Sequence, residues 1–281
     1  MIRVTVPAST ANLGAGFDTL GLALTLHFEA GLADSQQPNN ARVCDQHHPA
    51  SVAFAHAGGS GGLWSHDRIP MGRGLGFSGA ARVAGALLAI AQRDGVVAAN
   101  SLDARLAAFH VAAELEGHPD NAAASALGGL TVAAGQRAIR VPVAVQADVL
   151  VWVPENTTST KESRRKLSPT VSFNDAVFNI SRSSLFVAAM VTGDFGALAE
   201  AAHDRLHQDV RLAMVPDTKR AMRAAVDAGA YASWLSGSGP TMACIVDPLR
   251  AHAVMSALPS GGVTHRLHID MNGPVMSERA R

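Results

Sequence analysis

Ile69-Pro70-Met71-Gly72-Arg73-Gly74-Leu75-Gly76-Phe77-Ser78-Gly79-Ala80-Ala81 is the stretch on which the reading of this chain turns. Its glycines lead straight into Ser78 to Arg93, a segment rich in Ala, Leu and Val that predicts a helix. Glycines let backbone N–H groups approach an anion. The helix N-terminus behind them adds unpaired donors and a positive dipole. Phosphate is the natural guest, although a plain loop-to-helix turn fits the segment as well. Gly74, Gly76 and Gly79 also have dinucleotide-fingerprint spacing, but Asp67-Arg68-Ile69-Pro70 before them is no buried strand, so that context fails.

Upstream, Ile2 to Val6 reads as a strand stopped by Pro7, followed by small residues from Ala8 to Gly16 and an apolar run to Leu26. Residues 32–50 read as polar and irregular. Gly58-Gly59-Ser60-Gly61-Gly62 formally satisfies a nucleophile elbow, but it lacks the strand and helix that an elbow needs and reads as a flexible loop. Downstream, Ser101 and Asp103 are placed to cap a helix running to Glu116, broken at Gly117-His118-Pro119-Asp120. Strands follow Gly128-Gly129 at Leu130 to Ala133, then at Ile139 to Val143 and Ala147 to Val153. From Ser159 the pattern is helical, through Phe173 to Met190, Phe195 to His207 and Asp217 to Asp227. Strand and helix then alternate from Ala230 to Ile269. A β-rich first half and a helix-rich second half give an α+β protein with two subdomains joined near residue 145.

The 281 residues are 48% hydrophobic and 16% charged, enough apolar material for a sizeable core. Lys+Arg and Asp+Glu both number 23, so no nucleic-acid footprint is expected at the level of the whole chain. Only Lys161, Lys166 and Lys219 occur; none follows a glycine, which excludes a Gly-Lys-Ser/Thr phosphate loop, and a protein kinase's strand lysine is also missing. Cys44 and Cys244 are too few and too far apart for a disulfide framework or a cysteine zinc site. The N-terminus has no long apolar region, and the run Val83 to Ala91 is about half a membrane span, so the chain reads as soluble and cytoplasmic.

Three further segments carry polar groups suited to chemistry. In Glu114-Leu115-Glu116-Gly117-His118-Pro119-Asp120-Asn121, Glu116 stands at a helix C-terminus against the dipole, which makes it a candidate metal ligand as well as a solvated helix end. Leu235-Ser236-Gly237-Ser238-Gly239-Pro240-Thr241 is too long and small for a tight hairpin, as a loop lying against a ligand would be, or an ordinary flexible connection. Arg164 and Arg211 lie in helical regions; surface charge is the commoner role, while their forks suit carboxylates.

Taken together and in order, these segments resemble the GHMP small-molecule kinases (galactokinase, homoserine kinase, mevalonate kinase, phosphomevalonate kinase). Pro70 to Ala81 resembles their ATP phosphate loop and Leu235 to Thr241 their C-terminal glycine motif. Pro7-Ala8-Ser9-Thr10-Ala11-Asn12-Leu13-Gly14-Ala15-Gly16-Phe17-Asp18 is similar to the homoserine kinase form. So are Glu116-Gly117-His118-Pro119-Asp120-Asn121 with Gly128-Gly129, and Ser159-Thr160-Lys161-Glu162-Ser163-Arg164. The likeness runs from Ile2 to about Gly273.

The resemblance implies an α+β GHMP kinase fold, with residues 1–145 like ribosomal protein S5 domain 2 and residues 146–281 ferredoxin-like. It implies the reaction ATP + L-homoserine → ADP + O-phospho-L-homoserine in threonine biosynthesis, with Mg²⁺, and a homodimer, which is common in the family. By the same resemblance, Gly72, Arg73, Gly74, Leu75, Gly76, Phe77, Ser78, Gly79 and Ala80 cradle the ATP phosphates, and Ser78 and Glu116 hold Mg²⁺. Asn12 and Asp18 take the substrate's amino end, while Arg164 and Arg211 clamp its carboxylate with Thr160 beside them. His118 and Asn121 face the acceptor hydroxyl, and Asp120 corresponds most nearly to the base of related kinases. Ser236, Gly237, Ser238 and Gly239 form the glycine motif.

The chain departs from the family's Gly-Leu-Gly-Ser-Ser-Ala at Phe77 and Gly79. Phe77 is expected to pack near Leu75, Val83 and Leu87, with Gly79 making room for its ring. Two alternatives to the leading reading are a GHMP kinase for another small acid or alcohol, and a member that binds a small ligand without transferring phosphate. Phe77 favours the second of these; the presence of Ser78, Glu116, His118 and Asn121 speaks against it.

Overall fold

The computed structural model describes residues 2–33, 37–144 and 147–278, and the expected join near residue 145 falls outside them. Among the described residues the strands form two antiparallel sheets. The seven-stranded sheet runs Val275–Glu278, Ile2–Ala11, Leu20–Leu32, Leu63–Asp67, Arg42–Cys44, and Leu130–Ala134 pairs with both Leu20–Leu32 and Arg137–Val141. The four-stranded sheet runs Gly262–Leu267, Asp148–Pro154, Met242–Val246, Ala232–Leu235.

Against the first sheet lies the helix Phe77–Asp94, flanked by helices Pro49–His56, Leu102–Glu116 and Asp120–Leu127. Its alanines allow this close packing: from Gly79 to Ala91 every residue is buried except Arg82. In the second sheet, strand periodicity divides the side chains. Val149, Val151 and Val153 join the large core with Phe186, Met190 and Trp234, while Leu150 and Trp152 pack with Ala221, Ala225 and Val254. Both faces are covered, which is why the sequence there is a continuous apolar run. Among the described residues no helix is long and apolar enough to cross a membrane.

The structure corrects three sequence expectations. Pro7 does not end the first strand, which continues to Ala11; a register shift between Pro7 and Ala8 accommodates a residue with no N–H to give the ladder. Residues 32–50 are not all irregular, since they hold the strand Arg42–Cys44 and the start of a helix at Pro49, capped by His48 Nδ1. The helix expected over Phe195–His207 is reduced to a turn at Phe195–Ala197 and a helix at Leu198–Ala201. Asp204 is the cause. Its carboxylate accepts from the backbone N–H of His207 and Gln208 at 2.8 and 2.7 Å, so those donors never join a helix from upstream.

Candidate active site

The glycine segment sits where the sheets' loops converge. Gly74 has φ +75° and Gly76 +68°, conformations that side-chain-bearing residues rarely adopt. A Cβ on Gly76 would lie 2.0 Å from Ser9 Oγ, and one on Gly74 2.3 Å from the Ser236 carbonyl. Glycine is thus needed both for the turn and for the close approach of the first strand and the 235–241 loop. Ser236 Oγ donates to Gly74 O at 2.6 Å, and Ser9 N–H donates to Leu75 O at 3.2 Å. The Phe77–Asp94 helix then starts at the cleft, which Gly76, Phe77, Ser78 and Gly79 line, and its first turn has no side-chain cap. Thr160 and Ser238 hydroxyls meet at 3.0 Å, tying the Thr160–Arg165 helix to that loop.

The structure brings Ser78 and Glu116 together. The Ser78 hydroxyl donates to Glu116 Oε1, and Arg82, four residues along the same helix, pairs with that carboxylate and donates to Ser78 Oγ. His118 bridges two acids: Nδ1 meets Asp120 Oδ1 at 3.0 Å and Nε2 lies 3.6 Å from Glu116 Oε2. Asp120 opens the Asp120–Leu127 helix and is 2% exposed. Its Oδ1 accepts from His118, from the Asn121 N–H at 2.8 Å and from Asn121 Nδ2 at 3.2 Å, leaving Oδ2 as the oxygen with no such partner among the described residues. Ser9 Oγ donates to Asn121 Oδ1 at 2.9 Å and fixes that amide.

The residues assigned to the two ends of the substrate are found touching one another. Arg164 makes a two-point contact with Asp18, and this bond holds the guanidinium pKa above its usual value. Asn12 is engaged at both amide ends, Nδ2 donating to Gly237 O at 2.9 Å and Oδ1 accepting from Asp18 N–H at 3.0 Å. Arg211 is 2% exposed; Nη1 donates to Gly237 O at 3.1 Å and meets His207 Nδ1 at 3.3 Å, and Nε has no partner among the described residues. Burial pulls its pKa down, with the Arg164 charge adding to the effect.

Three participants escaped the sequence reading. Phe17 lies between the two arginines, 5.2 Å from Arg164 Cζ and 5.1 Å from Arg211 Cζ, and stacks on His207 at 5.0 Å. His207 supports Arg211 from behind, its Nε2 donating to Gly14 O at 2.9 Å. Arg82 stands one helical turn beyond Ser78, a spacing that could have signalled it.

Phe77 is buried in the same core cluster as Leu75, Val83 and Leu87. It is 8% exposed, and its ring stands edge-on to Phe28 at 5.8 Å and to His48 at 5.9 Å, partners that its own segment does not announce. Gly79 does not make room for it. A Cβ on Gly79 would meet Asn121 Cβ at 3.3 Å, so its smallness serves the approach of the Asp120–Leu127 helix.

Residues 186–264 match the family model described as GHMP kinases C terminal. A homoserine kinase of Desulfitobacterium hafniense is 35% identical, with 95% of this chain and 94% of that protein covered. One of Clavibacter michiganensis is 40% identical, with 86% and 81% covered. A homoserine kinase crystal structure from Cytophaga hutchinsonii superposes with TM-score 0.79 at 23% identity, over 98% of this chain and 97% of that one. The mevalonate kinase of Methanococcus jannaschii gives 0.69 at 11% identity, over 96% and 98%. These two likenesses bear on the fold alone, and agree with the α+β GHMP kinase architecture. On the sequence relatives, this chain belongs to the homoserine kinase family of the GHMP kinases.

Proposed function

We propose that this chain transfers the γ-phosphoryl group of ATP to the side-chain hydroxyl of L-homoserine, giving O-phospho-L-homoserine for threonine biosynthesis. The observation that carries the substrate assignment is the contact between Asp18 and Arg164, with Arg211 over the Phe17 ring and lining the same cleft. An α-amino acid bears its ammonium and carboxylate on one carbon, so a carboxylate and a guanidinium side by side complement it. A hydroxy acid without an amine offers Asp18 nothing.

At the other end of the cleft, backbone N–H groups from Gly74 to Gly79 receive the ATP phosphates, while the Ala80 N–H expected to join them donates to Gly76 O at 2.9 Å. Ser78 and Glu116 present a hydroxyl and a carboxylate oxygen in contact, hard donors of the kind Mg²⁺ takes beside nucleotide phosphates. Mg²⁺ bound there would neutralise phosphate charge. Asn121 and His118 orient the acceptor hydroxyl, and Asp120 Oδ2, the oxygen left over by its neighbours, accepts the proton. Asn12 shapes the loop that carries Asp18. Phosphoryl transfer depends mainly on such positioning and charge neutralisation.

The test is ADP release with ATP and Mg²⁺ over a panel of alcohols. Homoserine should be turned over, while 4-hydroxybutyrate and mevalonate should not. Equal turnover of 4-hydroxybutyrate would refute an amino-acid site. The division into residues 1–145 and 146–281, a homodimer and a cytoplasmic setting belong to the same reading, the first two open to limited proteolysis and sedimentation.

A further inference from the structure

Arg82 has no role in the reaction as read above, yet it stands at the centre of the metal-type pair. It is the one charged residue of its helix before Arg93, in a stretch where every other residue from Gly79 to Ala91 is buried. Its side chain is 19% exposed and that of Glu116 9% exposed, so solvent screens the pair poorly. Nη1 pairs with Glu116 Oε1, the same oxygen that accepts the Ser78 hydroxyl, and donates to Ser78 Oγ at 2.5 Å. Its Nε has no partner among the described residues, so only Ser78 and Glu116 hold the guanidinium.

We propose that Arg82 is a resident counter-ion for Glu116 that a divalent cation must displace, so that metal binding is weak until nucleotide phosphates arrive. The proposal rests on the assignment of Ser78 and Glu116 to the metal. A guanidinium and a dication cannot share Ser78 Oγ and Glu116 Oε1, because the oxygens are already in contact with Nη1 and the two cations repel at that range. The other charges facing the carboxylate are His118, at 3.6 Å, and Asp120 beyond it. Neither supplies the permanent positive charge that Arg82 does. Once displaced, the guanidinium remains one helical turn from the phosphate-binding amides, where nucleotide phosphates take it as a partner. The empty site thereby keeps Glu116 neutralised, and the charge of Arg82 is returned to the phosphates when they bind.

Titration with Mn²⁺, read by the electron paramagnetic resonance of the free ion, tests this without turnover. Without nucleotide, Arg82→Met should bind Mn²⁺ at least about tenfold more tightly than the native protein. With ADP present that difference should shrink, and ADP binding in EDTA should be weaker in the variant. Unchanged Mn²⁺ affinity without nucleotide would overturn the proposal, since a merely structural arginine would lower Tm and leave the metal alone. Arg82→Gln, which keeps a polar partner for Ser78, serves if Arg82→Met folds poorly. Glu116→Gln separates the two levels. If it leaves native Mn²⁺ binding intact, the metal assignment falls and this proposal with it. If it abolishes binding while the Arg82 variants match the native protein, this proposal alone falls.

Discussion

Arg164 meets Asp18 across 146 residues of sequence, Nη1 to Oδ2 at 2.8 Å and Nη2 to Oδ1 at 2.6 Å. The contact joins the loop after the first strand to the Thr160–Arg165 helix, and so draws the two sheets' site residues together. Both side chains are partly exposed, at 41% and 30%, so the pair contributes little to stability and leaves its faces open to a third charged group.

Asp18→Ala and Arg164→Ala should each raise KM for homoserine by roughly 10- to 150-fold, the scale of a hydrogen bond to a charged group. The double variant should cost much less than the product, because each partner's loss already disorganises the other. Steady-state kinetics on the four proteins checks this; strict multiplicativity would mean that the pair does not act as one unit. Asp18→Asn should also erode the preference for homoserine over 4-hydroxybutyrate.

Phe17→Leu should raise KM for homoserine by about 3- to 30-fold with kcat within about twofold, since it removes the ring that both guanidinium groups face. Phe17→Tyr should retain native KM. A fall in kcat with KM unchanged would place Phe17 elsewhere in the mechanism.

Glu116→Gln should lower kcat by roughly 10²- to 10⁴-fold while the fold survives, as judged by circular dichroism, because the carboxylate proposed as a metal ligand becomes a weaker amide. Near-native turnover would remove Glu116 from the reacting centre.

Phe77→Ser should destabilise the protein by about 3–5 kcal/mol in urea unfolding, because it empties the space beside Phe28 and His48. Turnover below the melting range should change by no more than about tenfold, the scale of one neutral hydrogen bond. Restoration of the family's serine would switch on activity only if the native ring blocked the phosphates, and its edge-on packing in the core argues otherwise.

Burial holds the His207 pKa below its usual 6.5, with the Asp204 carboxylate acting against burial and the Arg211 charge with it. A depressed histidine adds stability above the unfolded value, and that stability is lost as pH falls from 6.5 through the folded value. Thermal unfolding from pH 7.5 to 5.0 should show a steeper acid loss in the native protein than in His207→Asn, by at most about 1.4 kcal/mol per pH unit. The contact with Arg211 works in the same direction as burial, since Nδ1 can accept from Arg211 only while it is unprotonated.

Local signals made the glycine loop, its helix and the Ser101 cap readable from sequence, since glycine placement and capping act within a few residues. What escaped the sequence was set by partners far along the chain. Pro7 continues a strand because its neighbours provide a register shift, and Asp204 breaks a helix whose composition favours it. The destination of the Phe77 ring depends on Phe28 and His48. The two motifs point to Asp18 and Arg164 one by one, but their contact with each other follows from the fold and not from either motif.

The strand Val275–Glu278 lies antiparallel on Ile2–Thr5 and closes that side of the first sheet. During synthesis Ile2–Thr5 therefore waits for a partner strand that lies far along the chain. Until then Ile2–Thr5 presents an open sheet edge, the kind of surface on which nascent chains stick to one another. Completion of the first sheet thus waits until Val275–Glu278 has been made, and over that interval its open edge is a surface for chaperones.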